Sequence, residues 1–279
     1  MKEAGPIIVT VIVILSVMFM LHKQGQLFTN TLETQRSNTS AQQKNNSGNN
    51  GEEIRGANSG AHGYSPYSQY VSIYDVENPE SVASNEYVII QSAGNSTPIN
   101  ITGWSLVSEV TGSKAYIGKA SPLPQIQPEK NIELGPYEQV IISSGHSPTG
   151  ISFRTNLCTG YFEDQTNFIP SLSLRCPEVP EDDLPDSISD SENCTDYIDS
   201  LSICEIPRNQ LPTMSSKCEN FIRDTFSYNG CVNQYKNRSD FYRSEWRVFL
   251  KSNPVLWKEK GDVIKLLDAQ GELVDSFKI

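Results

Sequence analysis

The sequence is short of the residues that build most active sites. Its only histidines are His22, His62 and His146. The spacings H-E-x-x-H, C-x-x-C and G-x-S-x-G are absent, as are phosphate-cradling glycine motifs. His146 stands beside Ser143, Ser144 and Ser147, but in a Gly/Pro-rich stretch that reads as a surface turn rather than a triad. The chain is therefore expected not to be an enzyme and to need no cofactor. Basic residues are scarce too: 22 Lys and Arg stand against 33 Asp and Glu, for a net charge of −11. No basic run or stripe occurs, which argues against nucleic acid as a partner, since phosphate binding needs clustered Lys and Arg.

What is present begins with acid. Between Glu178 and Asp199 the carboxylates crowd together, and the segment reads as a solvated loop that keeps the protein soluble. A flexible loop does not hold two carboxyls at the fixed separation that glycoside hydrolysis needs. Asp186, Asp190 and Glu192 are weak calcium candidates. An EF-hand would need Gly at its sixth position and Glu at its twelfth, and counting from Asp186 or Asp190 meets neither requirement. Only an irregular site is left, and no metal centre is assigned.

Ile7 to Leu21 is an uncharged, largely apolar run of fifteen residues, with Thr10 and Ser16 as its polar members. At 1.5 Å per residue it spans roughly 23 Å, the length of a signal-sequence core or a short membrane helix. No small-residue cleavage pattern follows, so residues 1–23 are expected to be an uncleaved signal-anchor. The protein would then be a single-pass membrane protein, held through 7–21 with its C-terminal part extracytoplasmic. Residues 24–63, dominated by Asn, Ser, Thr, Gln and Gly, read as a flexible spacer that cannot bury enough apolar surface to offset its ordering entropy.

All six cysteines follow the spacer: Cys158, Cys176, Cys194, Cys204, Cys218 and Cys231. An even count behind an export signal reads as three disulfides in an oxidising compartment. Zinc would need closer ligand pairs than these. Six cysteines allow fifteen pairings; the expectation is a local Cys158–Cys176 loop, with the other four stapling the downstream segment to itself.

From Tyr64 onward, short β-branched runs alternate with turn residues. Val71 and Ile73, Tyr87 to Ile90, Ile99 and Ile101, Ile132 and Leu134, and Val140 to Ile142 all read as strands. Asp262–Leu267 and Glu272–Phe277 form a further pair around the tight turn Asp268–Gly271. Ser216 to Phe226 places Cys218, Phe221, Ile222 and Phe226 on one helical face, with Ser215 or Ser216 as N-cap and Gly230 just past the end. Ser239-Asp240 suggests a second short helix leading to Trp246. The fold class is mainly β: an antiparallel sandwich over 64–175 and 246–279, interrupted by a cysteine-rich, partly helical insertion over 176–245.

The runs Glu86–Gln91, Ile99–Leu106 and Ile132–Ile142, with the ending Gly261–Asp275, resemble the lamin-tail domain. The resemblance implies an immunoglobulin-like sandwich in which Gly103-Trp104 follows a strand and the Trp fills the core. It covers roughly 64–160 and 246–279. One departure is Gly135-Pro-Tyr-Glu138, where the family usually has Pro before Gly, which alters the turn type. Ser144–Tyr161, with the cysteine-rich stretch after it, is similar to exported bacterial lamin-tail proteins, including those of small-genome candidate phyla. The family is regarded as a binding or structural module and has no catalytic residues to carry over.

Of the tryptophans, Trp104 and Trp246 read as core. Trp257 is the tryptophan most open to exposure and a candidate ligand-contact aromatic. Tyr64 and Tyr67, just before the first strand, are candidates with it, although covering the sandwich edge is the simpler role for the tyrosines. The expected function is a membrane-tethered binding or adhesion module that contacts an unknown protein or glycan. The alternatives are a self-assembling envelope component or an accessory module of an exported hydrolase system.

Overall fold

The computed structural model describes residues 63–77, 82–207 and 214–279. The expected anchor at 7–21, and the spacer up to residue 62, lie outside the described residues. Among the described residues no helix is long and apolar enough to cross a membrane.

Eleven strands are described, and the alternation that marked them decides which way each side chain faces. In β1 (Val71–Glu77) and β2 (Tyr87–Ser92), Val71, Ile73, Val88 and Ile90 are buried while Ser72 and Tyr74 face out. These strands open a five-stranded sheet in the order β1-β2-β7-β9-β8, where β7 is Gln139–Ser143, β8 is Phe153–Asn156 and β9 is Tyr242–Phe249. The second sheet has the order β11-β10-β4-β5, where β4 is Ser105–Ser108, β5 is Lys114–Tyr116, β10 is Val263–Leu267 and β11 is Leu273–Lys278. Two short strands, β3 (Ile99–Asn100) and β6 (Glu133–Leu134), pair with each other. Val88, Ile90, Val140, Ile142, Trp246 and Val248 from the first sheet share one apolar core with Leu106, Ile264, Leu266 and Val274 from the second. The arrangement is mainly β and compatible with a β-sandwich. Trp104 lies in this core, 1% exposed, directly after Gly103 at φ +88°. The β10–β11 hairpin turns at the expected residues, with Asp268 Oδ1 accepting from Gln270 N and Glu272 N at 2.9 Å each and Gly271 at φ +84°.

The structure corrects several expectations. The first sheet is mixed rather than wholly antiparallel, because β9 runs parallel to β7. A parallel neighbour cannot be reached through a hairpin; here β8 and the insertion after it lie between β7 and β9 along the chain. The second short helix expected after Ser239-Asp240 does not form: Tyr242–Phe249 is a strand. The insertion boundaries move accordingly. Leu157 and Tyr161 already belong to the insertion's own apolar cluster, and the sandwich resumes at Tyr242 rather than 246.

That cluster covers the second face of the first sheet around Phe153 and Phe249. Phe153 and Phe249 point away from the shared core and pack with Leu157, Phe162 and Phe168. The rings of Phe153 and Phe168 meet edge to face at 5.9 Å. The insertion continues through α1 (Gly160–Gln165), α2 (Asp186–Ser189), α3 (Glu192–Ser200), α4 (Ser216–Thr225) and α5 (Tyr228–Tyr235). Ser215 caps α4 as expected, its hydroxyl accepting from Cys218 N at 3.3 Å. Gly230 is not the C-terminal residue of that helix; it lies inside α5. A Cβ there would come 2.0 Å from Asp224 O, so the glycine is what lets the two helices approach. Tyr161 is buried in the insertion's core, and burial, aided by the nearby Tyr235, pushes its hydroxyl up to about 12.

Three disulfides form, and the expected Cys158–Cys176 loop is not among them: the pairs are Cys158–Cys231, Cys176–Cys204 and Cys194–Cys218. Packing decides this. Cys176 and Cys204 close over Gly160, where a Cβ would meet Cys204 Sγ at 2.3 Å, and this leaves the buried Cys158 facing α5. Cys194 and Cys218 join α3 to α4 within a separate small cluster that includes Ile188, Ile198 and Ile222.

The loop before β10 is held by two buried carboxylates. Glu86 accepts from Leu256 N at 2.9 Å and from Trp257 N at 3.1 Å. Asp262 accepts from Ser108 Oγ at 2.6 Å and from the amides of Val110, Lys258 and Val263. Burial raises the Glu86 carboxyl above its usual value, outweighing the amides that donate to it. At Asp262 burial also pushes upward, but the Ser108 hydroxyl and the three amides outweigh it and hold the carboxyl below its usual value. The signs are opposite. The Glu86 contribution to stability is full below the ordinary value of 4.5 and fades as pH rises through its raised value; the Asp262 contribution is lost as pH falls below 3.8. Glu86→Gln keeps the shape but turns an amide donor toward two backbone donors, and should cost about 1–3 kcal/mol. The gap between wild type and Glu86→Gln in urea midpoint should narrow as pH rises above 4.5. A constant gap would show that Glu86 does not titrate differently on folding.

Candidate functional site

Strand alternation that buries Val88, Ile90, Val140, Trp246 and Val248 necessarily sends their neighbours to the opposite face. Near one end of the first sheet those neighbours are Gln91, Gln139 and Glu245, brought side by side by register: Gln91 opposite Gln139, and Gln139 opposite Glu245. They form a hydrogen-bonded row. Gln91 Nε2 donates to Gln139 Oε1 at 3.4 Å, and Gln139 Nε2 donates to Glu245 Oε2 at 2.8 Å. Arg247 Nε donates to Glu245 Oε1 at 2.6 Å. The rest of the Arg247 guanidinium, 3% exposed, donates to the carbonyls of Pro170 and Ser171 and so ties residues 166–176, a strap without helix or strand that follows α1, to β9.

Two clefts open along this row, and Glu245 lines both. One, about 390 Å³, is bounded by Gln91, Ser92, Tyr137, Gln139 and Ser244. Tyr137 is 80% exposed at φ +58°, yet its position is fixed from below. A Cβ at Gly94 would lie 2.2 Å from Tyr137 Oη, so the ring rests on bare backbone. The turn carrying Tyr137 is braced by Glu138, whose Oε2 accepts from Gly135 N at 2.9 Å and Trp246 Nε1 at 3.3 Å. Glu138 also pairs with Arg154, whose guanidinium lies 5.0 Å from the Tyr242 ring and 5.4 Å from the Trp246 ring.

The other cleft, about 310 Å³, lies where the strap leaves the sheet. It is lined by Thr155, Asn156, Thr159, Ser171, Arg175, Arg243 and Arg247, among others. Glu245 balances Arg247. Among the described residues, Arg175 and Arg243 make no ion pair. Arg243 acts only at longer range on Asp240, whose carboxyl is held low first by its hydrogen bond from Arg238. The cleft therefore carries positive charge on a chain of net charge −11.

The residues singled out by sequence lie elsewhere. Trp257 is 2% exposed in the shared core, so the expected ligand-contact role is corrected to packing. Tyr67 packs against that core with its ring 5.4 Å from Trp104. Tyr64 is 76% exposed, and its backbone bridges to Leu273 in β11, with Ser65 N donating to Leu273 O at 2.8 Å. Asp186 and Glu192 open α2 and α3, Asp190 lies between them, and all are exposed. Among the described residues no group of three or more His, Cys, Asp or Glu is placed to hold a metal ion. His146 is exposed, while Ser143 Oγ donates to Ile169 O and Ser147 Oγ to Ile151 O.

A legible signal existed for the β9 part of the row alone. In Tyr242-Arg-Ser-Glu-Trp-Arg-Val-Phe249 the charges at 243, 245 and 247 alternate with Ser244, Trp246 and Val248, a half-buried strand with one charged face. No family profile, curated protein or solved structure matches the chain.

Proposed function

We propose that the chain is a membrane-tethered, extracytoplasmic binding module on a lamin-tail-like, immunoglobulin-like sandwich, and that it holds a glycan along the polar row of its first sheet. The observation that carries the reading is the row Gln91–Gln139–Glu245–Arg247, ordered across three strands beside the propped Tyr137 ring. Side-chain amides donate and accept at once, as sugar hydroxyls do, and an exposed aromatic face supplies apolar area beside them at low entropic cost. The apolar run at 7–21, the polar spacer and the three disulfides support placing the module outside the cytoplasm.

The test is a glycan array probed with the full chain, followed by Tyr137→Ala and Gln139→Ala. Each substitution should weaken the best ligand by about tenfold, the scale of one lost hydrogen bond or ring contact, with melting temperature nearly unchanged. Unchanged affinity in both variants would move the ligand to another face. Concentration-dependent self-association without glycan binding would favour an envelope component that assembles with itself.

A further inference from the structure

The second cleft narrows the ligand class. Resting on the binding face just described, we propose that the module takes an acidic oligosaccharide, a sugar chain carrying uronic carboxylates, and that Arg175 and Arg243 bind a carboxylate in the cleft beside the polar row.

Three features carry this. First, the cleft holds two guanidiniums without an ion-pair partner among the described residues, although the chain has 33 acidic side chains that could have supplied one. Arginine presents a planar fork that matches a carboxylate with two parallel hydrogen bonds. Arg243 is half-buried on β9 and Arg175 is exposed on the strap, so the cleft draws its two arginines from different elements. Second, the cleft is continuous with the amide row through Glu245, which lines both. A ligand spanning the two meets charge at one end, then amides and a tyrosine ring. A polyhydroxylated chain with intermittent carboxylates has that alternation; a bare inorganic anion does not. Third, the net charge of −11, with Glu245 between the clefts, opposes a densely charged polyanion. Carboxylates held one to a sugar ring, with neutral hydroxyls between them, meet less of that repulsion than a sulfated or phosphate polyanion would. The brace of Arg247 to the strap carbonyls holds Ser171, and so the cleft wall, in place before any ligand arrives.

The test is isothermal titration of the full chain in detergent micelles with trigalacturonate, galactotriose and poly-L-glutamate. Trigalacturonate should bind saturably, at least about tenfold tighter than galactotriose, and more weakly as salt rises. Arg175→Gln and Arg243→Gln should each cost trigalacturonate about tenfold while leaving galactotriose unmoved, and Arg→Lys should lose less than Arg→Gln. Melting temperatures of the four variants guard against misfolding. Equal binding of both sugars, indifferent to the arginine changes, overturns the acidic-ligand inference and leaves the binding face standing. Arginine-dependent binding of poly-L-glutamate but neither sugar replaces the glycan with an acidic peptide. No saturable binding of any of the three by the folded chain overturns this inference, and the array result then decides the binding face separately.

Discussion

Replacing Cys158 and Cys231 together by alanine is expected to cost about 4 kcal/mol, because this bridge spans the largest separation of the three, 73 residues. Closing a loop restricts the unfolded chain more as the loop lengthens, and the bridges across 28 and 24 residues should each contribute about 1 kcal/mol less. For a folded part of this size the loss corresponds to a fall of roughly 8–16 °C in melting temperature. The damage should be local first. The core shared by the two sheets contains no cysteine, whereas both clusters of the insertion do. Limited proteolysis of the double variant should therefore cut between α1 and α5 while the strand signal in far-ultraviolet circular dichroism persists. Simultaneous loss of both would show that sheet and insertion fold as one unit.

Trp257→Ala should be nearly as damaging, by about 3–5 kcal/mol, the usual range for truncating a large buried aromatic. Trp257 fills the shared core from an irregular loop rather than from a strand. Without the indole, the loop keeps the amides of Leu256 and Trp257 on Glu86, that of Lys258 on Asp262, the Thr111 hydroxyl on Leu256 O and the packed Leu256 side chain. Hydrogen exchange at those amides should rise much more than at β2 or β7 amides. If denaturant midpoints barely move, the indole is peripheral and the exposed, ligand-facing role expected from sequence returns.

Trp257 also marks where sequence reading stops. Its neighbours Pro254, Lys258 and Glu259 are exposed, and a tryptophan among such residues looks like a surface one. It packs in the core shared by the two sheets, and its backbone amide donates to the carboxylate of Glu86, 171 residues away. The polar row failed to show for the same reason. Gln91 meets Gln139 across 48 residues and Gln139 meets Glu245 across 106, so no local window contains the site. Tyr137 was visible only as an unusual turn, Gly135-Pro-Tyr-Glu138; that it would be a presented ring depended on Gly94 lying beneath it.

Short-range order was legible. The two-residue alternation at Val71–Glu77, the β-branched runs at Tyr87–Ser92, Gln139–Ser143 and Val263–Leu267, the turn at Asp268–Gly271 and the cap of Ser216–Thr225 all rest on neighbours a few residues apart. These interactions act before the chain has any global shape, so the sequence alone determined the mainly β character, the position of the helical insertion's most amphipathic segment, and the presence of three disulfides. Tertiary structure alone decided that β9 runs parallel to β7, that Cys158 reaches Cys231, and that Arg175 and Arg243 line one cleft. Each of these outcomes depends on which distant segments find complementary apolar faces, and strand register then carries the polar residues along with the buried ones.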